Sequence, residues 1–214
     1  MSLQDIQTLR ARTGAGMADC KKALTECGGN LDQATEYLQK KSLAAATKRA
    51  DKVAAEGIVA SYVHNGRIGV IVEVNCETDF VARNDEFKVM AKDIAVHIAA
   101  YNPLYLSEKH IPADALAKQK EIFTAQLLEQ GKSGPMVEKI MEGKLKKWYT
   151  EVCLLDQPFL NDNDITVGHF VVEAAAKIKE KIEVRRFHRI ELGEGIVKEV
   201  TDFASEVAAT AAGK

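Results

Sequence analysis

Ile58-Val59-Ala60-Ser61-Tyr62-Val63-His64-Asn65-Gly66-Arg67-Ile68-Gly69-Val70-Ile71-Val72-Glu73-Val74 is the stretch on which the fold turns. Ile58, Ala60 and Tyr62 alternate with their neighbours, and residues 68–74 make a second β-rich run. Asn65-Gly66 between the runs predicts a tight hairpin, because both turn residues tolerate positive φ. One hairpin alone is marginal in water. A late β run over residues 182–192, with Val184, Ile190 and Leu192 alternating with charged residues, is expected to complete a small antiparallel sheet.

Helices fill the space around these strands. Phe87, Met90, Ala91, Ile94 and Ile98 fall on one apolar stripe at helical spacing. Residues 115–130 predict another helix, ended by Gly131. Pro135 suits the first turn of the next, which Leu145, Trp148, Val152 and Leu155 continue at heptad-like spacing. Thr166 is placed to cap a helix carrying Val167, Phe170, Val171 and Ala174. From Thr201 onward, Phe203, Val207, Ala208 and Ala211 mark a last amphipathic helix.

Before the hairpin, the chain reads as three short helices. Leu3, Ile6 and Leu9 open the first, and Thr13-Gly14-Ala15-Gly16 stops it. Met17, Cys20, Ala23, Leu24 and Cys27 continue at helical spacing until Gly28-Gly29, after which Asn30 is set to cap a third helix through Leu31, Ala34, Tyr37 and Leu38. A Lys- and Ala-rich connector follows, its charges read as solvation, with a boundary near Val53. The expected class is α+β. A three-helix module with its connector occupies 1–53, and an α+β core with a helical insertion around 113–155 occupies 54–196. A C-terminal helical module occupies 197–214.

The 214 residues are 46% hydrophobic and 28% charged, as in a globular protein. A formal net charge of −2 gives no whole-chain attraction to phosphate, so no direct nucleic-acid partner is expected. Lys177-Ile178-Lys179-Glu180-Lys181 reads as a solvated face. Cys20, Cys27, Cys76 and Cys153 form no C-x-x-C pair and the five histidines stand apart, which argues against a zinc module. No metal or cofactor is expected. No apolar run is long enough to cross a bilayer. Scattered thiols and the lack of a leader pattern point to the cytoplasm.

The most unusual stretch is Val74-Asn75-Cys76-Glu77-Thr78-Asp79-Phe80-Val81-Ala82-Arg83-Asn84. A buried strand runs into a polar loop, then an Asp-Phe pair, then a helix. A rigid ring beside a carboxylate at such a corner suits a wedge, and an interface aromatic of this kind costs ~2 kcal/mol or more when truncated. The alternative, on physics alone, is that Phe80 packs under its own loop.

Thr13-Gly14-Ala15-Gly16-Met17 with Asp19-Cys20-Lys21-Lys22-Ala23-Leu24, and Gly69 through Asn84 with its Asn-Cys-Glu-Thr-Asp-Phe-Val-Ala-Arg core, resemble the two hallmark segments of the elongation factor Ts family. Gly143-Lys144-Leu145-Lys146-Lys147, Gln157-Pro158-Phe159 and Gly193-Glu194-Gly195-Ile196 match it further. The resemblance implies a guanine-nucleotide exchange factor that binds elongation factor Tu in its GDP state, with no catalytic residue of its own. By the same resemblance, Thr78, Asp79, Phe80 and Val81 disturb the Mg²⁺ site of the GTPase. Phe80 wedges between helices of that GTPase, and Asp79 presses a carboxylate onto the same region. Arg10 and Met17 match module positions that meet another of its helices. Long members of the family duplicate the core. This chain reads as a single copy, so a homodimer is expected, with the Leu145/Trp148/Val152/Leu155 stripe as a candidate face or, equally, as a core helix.

Other readings stay open at the sequence level. The first module also resembles ubiquitin-associated domains, which would suit a general adaptor. Thr201-Asp202-Phe203 repeats the hallmark tripeptide but reads as an ordinary cap and packing residue. A thiol hydrolase built on Cys76 is disfavoured, because no sequence-adjacent base accompanies it and Glu77 and Asp79 are expected to raise its pKa.

Overall fold

A computed structural model describes residues 2–13, 15–49, 51–132 and 135–196. Gly14 and the expected C-terminal helix over 197–214, with Thr201-Asp202-Phe203, lie outside the described residues. The fold is α+β.

The first unit has three helices, α1 (Leu3–Thr13), α2 (Met17–Glu26) and α3 (Leu31–Lys48). Leu9, Cys20, Ala23, Leu24, Ala34 and Leu38 close a small core of their own. Gly28 and Gly29 take positive φ after α2. Asn30 Oδ1 then accepts from the N–H of Asp32 and of Gln33, at 3.0 and 3.1 Å, as an N-cap should. The connector is largely helical, since α3 continues to Lys48 before the sheet begins at Glu56.

The hairpin pairs β1 (Glu56–His64) with β2 (Ile68–Cys76) in antiparallel register. Asn65 and Gly66 sit at φ 49° and 66°, and Arg67 N–H donates to the His64 carbonyl at 2.9 Å. These are the two positive φ values of a type I′ turn. Next come a short helix α4 (Asp79–Arg83), then α5 (Asp85–Tyr101), α6 (Ala113–Glu129) and α7 (Pro135–Val152). A small hairpin of β3 (Pro158–Phe159) and β4 (Asp162–Thr166) precedes α8 (Val167–Ile178). The last strand, β5 (Ile182–Glu191), pairs antiparallel with β2, so β2 is the central strand.

The main core lies between one face of this sheet and α5. Val70, Val72 and Val74 meet Phe87, Ala91, Ile94 and Ile98, all buried. Thr166 caps α8 by accepting from His169 N–H at 3.1 Å. Phe159 and Phe170 stack with ring centroids 4.2 Å apart, joining the small hairpin to α8. His97 and Gln157 make a buried polar pair at 3.0 Å. The other ring nitrogen of His97 accepts from Leu160 N–H at 3.2 Å, so the geometry assigns the proton to Nε2.

The alternation expected along the last strand fails half-way. The β2–β5 register shifts between Glu73 and Val74, leaving Arg185 and Arg186 opposite Glu73 in a bulge that reverses which face each later residue takes. Val184 is buried, whereas Ile190 and Leu192 are exposed. The α7 stripe also differs from the expectation. Leu155 falls outside α7, in a turn of 3-10 helix at Leu154–Asp156, and packs on the main core.

Candidate functional site

The polar corner after β2 is built by α4. Thr78 is its N-cap, with the Oγ1 accepting from Val81 N–H at 3.5 Å. The inner side of the turn is apolar: Ala82 is buried and Val81 packs against the main core. The outer side carries the other residues expected at the site. Phe80 is 82% exposed, and Asp79 Oδ2 lies 3.0 Å from Arg83 Nη2, one turn on. A phenylalanine left in water forgoes roughly 1.5–3 kcal/mol of burial. An isolated ring held outward by a fixed turn is therefore poised to gain that energy against a partner.

Thr78 is held at every polar atom. Its N–H and hydroxyl donate to Glu180, at 3.1 and 2.7 Å. Its carbonyl accepts from Ala82 N–H at 3.3 Å and from the Cys76 thiol at 3.2 Å. Cys76 is fully buried, and burial first, then the charge of Glu180, pushes its thiol up to about 11. The direction matches the sequence expectation but the cause does not, because Glu77 and Asp79 are not what raise it. A protonated thiol is a hydrogen-bond donor and a poor nucleophile.

Thr78, Asp79, Phe80 and Val81 thus share one turn. Arg10 and Met17 stand apart on α1 and α2, with Arg10 exposed and Met17 half-buried against the three-helix core. Leu145 is buried, and Trp148 and Val152 are half-buried, so the α7 stripe belongs mostly to internal packing.

Several residues at the corner escaped the sequence reading. Arg49 and Lys52, read as solvated connector charges, lie 3.4 and 2.8 Å from the Glu77 carboxylate. In the run Lys177–Lys181, read as a solvated face, three of the four charged side chains are engaged. Lys177 pairs with Glu86, Glu180 holds Thr78, and Lys181 pairs with Glu183 at 2.9 Å. No local signal marks these contacts, since Glu180 and Glu77 lie 103 residues apart. Among the described residues, no cluster of three or more His, Cys, Asp or Glu side chains is placed to hold a metal ion. No described helix is long and apolar enough to cross a membrane.

A family profile described as Elongation factor TS matches residues 31–194. The chain belongs to the elongation factor Ts family. Relatives bearing that name agree along nearly the whole length. The protein of Desulforamulus reducens is 55% identical over 210 residues, covering 98% of this chain and 97% of the relative. That of Alkaliphilus oremlandii is 55% identical over 203 residues, 95% and 94% of the two chains. That of Geobacter sulfurreducens is 54% identical over 207 residues, 96% of each. As a member of this family, the chain has its role in the elongation stage of translation. The profile match includes α3, the α4 corner and β5 up to Glu191, so the corner and the residues that hold it lie within the family's shared segment.

Proposed function

We propose that the chain is a guanine-nucleotide exchange factor that binds elongation factor Tu in its GDP state in the cytoplasm and promotes nucleotide release without covalent chemistry. The observation that carries this reading is the Phe80 ring, 82% exposed on a turn whose base is buried. Phe80 inserts between helices of the GTPase, Asp79 adds a carboxylate to the same region, and Thr78 and Val81 anchor the turn that presents them. Together these residues displace the groups that hold Mg²⁺ and so loosen GDP. Arg10 and Met17, in a module spanning 1–53, meet a second part of the GTPase. The core over 54–196 carries the wedge.

The energetics are those of linkage. A GTPase grips GDP through Mg²⁺ and charge-assisted hydrogen bonds. Whatever weakens GDP in the presence of the factor weakens the factor equally in the presence of GDP. Lowering the release barrier by ~4 kcal/mol speeds release roughly a thousandfold, and the nucleotide pool sets the direction. The test is release of labelled GDP from elongation factor Tu with and without the chain. Release accelerated by orders of magnitude is expected, and an unchanged rate would remove the proposal.

A homodimer is proposed alongside. Its support is the face of the sheet turned away from α5, where Val59, Val63, Ile71 and Ile190 are all exposed. The strand register places them together: Ser61 is opposite Ile71, Val63 is opposite Gly69, and Gly69 is opposite Ile190. A second copy of the same sheet would cover this apolar surface.

A further inference from the structure

Two carboxylates, distant in sequence, interlock at the foot of the Asp79-Phe80 corner. Glu180 Oε2 accepts from the backbone N–H of Glu77 and of Thr78, both at 3.1 Å. Its Oε1 accepts from the Thr78 hydroxyl at 2.7 Å. Glu77 answers in the opposite direction. Its Oε1 accepts from Lys181 N–H at 2.7 Å, and its Oε2 accepts from Lys52 Nζ at 2.8 Å. Arg49 Nη1 reaches Oε1 at 3.4 Å, and Lys181 Nζ donates to the Lys52 carbonyl at 2.9 Å. The end of β2, the start of β5 and the segment after α3 are thereby fastened at one point.

We infer that Glu180 is a positioning residue for nucleotide release: it clamps the backbone at Glu77 and Thr78 so that Asp79 and Phe80 are presented in one orientation. The inference rests on the exchange reading above. A helix of five residues is too short to hold its own shape in water, so the direction of Phe80 depends on what grips the turn. Charge-assisted hydrogen bonds to two consecutive N–H groups and a hydroxyl supply that grip. A ring fixed before docking loses less conformational freedom on insertion. Glu180 itself touches no nucleotide in this scheme. Glu77 extends the clamp to Arg49 and Lys52, which tie the corner to the segment leading from the three-helix unit.

The experiment is release of labelled GDP from elongation factor Tu over a range of factor concentrations, which separates the maximal rate from the half-saturating concentration. Wild type is compared with Glu180→Ala, Glu180→Gln, Phe80→Ala and the Glu180→Ala/Phe80→Ala double variant, each checked by thermal melting. Glu180→Ala is expected to lower the maximal rate roughly tenfold, as small misplacements of reacting groups do, with a smaller change in half-saturation. Glu180→Gln keeps an acceptor for the two N–H groups and should stay within about threefold of wild type. The double variant should lose far less than the product of the two single losses, because Glu180 acts largely through the ring it presents.

Wild-type release by Glu180→Ala beside slow release by Phe80→Ala would overturn this inference alone. So would two effects that multiply in the double variant. Wild-type release by Phe80→Ala would overturn the wedge, and this inference with it. If Glu180→Ala does not fold, Glu180→Asp serves in its place. Its shorter side chain cannot span both N–H groups and the hydroxyl, so slow release upholds the clamp and wild-type release overturns it.

Discussion

At the scale of single residues, Cys76 and Gly57 show how backbone geometry and a buried proton hold the corner. The Cys76 thiol donates to Thr78, and with its pKa at about 11 it stays protonated through the physiological range. Cys27, only half-buried, should therefore react with an alkylating reagent well before Cys76 in the native protein, as peptide mapping after brief labelling would reveal. The thiol's folded pKa lies above its ordinary value of 9.0. Its contribution to stability is thus complete below about pH 9 and declines as pH rises towards 11. Cys153, also pushed up to about 11 by burial first and then by Asp156 and Glu108, adds to the same alkaline slope. Melting temperature against pH should fall over this window, and less steeply for a Cys76→Ala/Cys153→Ala variant. Gly57 has φ 147°, and a Cβ there would sit 2.2 Å from the Val74 carbonyl oxygen. Gly57→Ala should destabilise the protein by roughly 2 kcal/mol or more, measurable by urea denaturation.

At the scale of elements, local signals made most of the architecture legible. Asn65-Gly66 marks its hairpin because only a positive-φ turn matches the twist of the strands. Phe87, Met90, Ala91, Ile94 and Ile98 mark α5 because a helix must turn one stripe to the core. Asn30 and Thr166 announce their helices through the side-chain caps seen here. What was not legible depends on partners far along the chain. The strand bulge at Arg185-Arg186 brings both guanidinium groups to Glu73, at 2.8 and 2.6 Å, and residue alternation alone carries no trace of that. Glu180 sits in a run of alternating charge that resembles many solvated helix ends, and only the fold brings it to Thr78. The site is split in the same way. The outward Asp-Phe pair can be suspected from its polar setting, whereas the clamp beneath it cannot.

At the scale of the whole molecule, a covered and an uncovered sheet face divide the labour. One face packs on α5 and makes the core, while the other leaves Val59, Ile71 and Ile190 in water. If a second copy covers that face, light scattering at micromolar concentration should give twice the chain mass. An Ile71→Glu variant should give the single-chain mass, since burying two unpaired carboxylates outweighs the apolar gain. A monomeric wild type would remove the dimer and leave the wedge standing. The wedge itself is the central claim: an exposed ring on a clamped turn loosens GDP from its holder. Its most direct test is the maximal rate of labelled-GDP release from elongation factor Tu, compared between wild type and Phe80→Ala. A loss of roughly tenfold or more is predicted for the variant, and equal maximal rates for the two proteins would contradict the account.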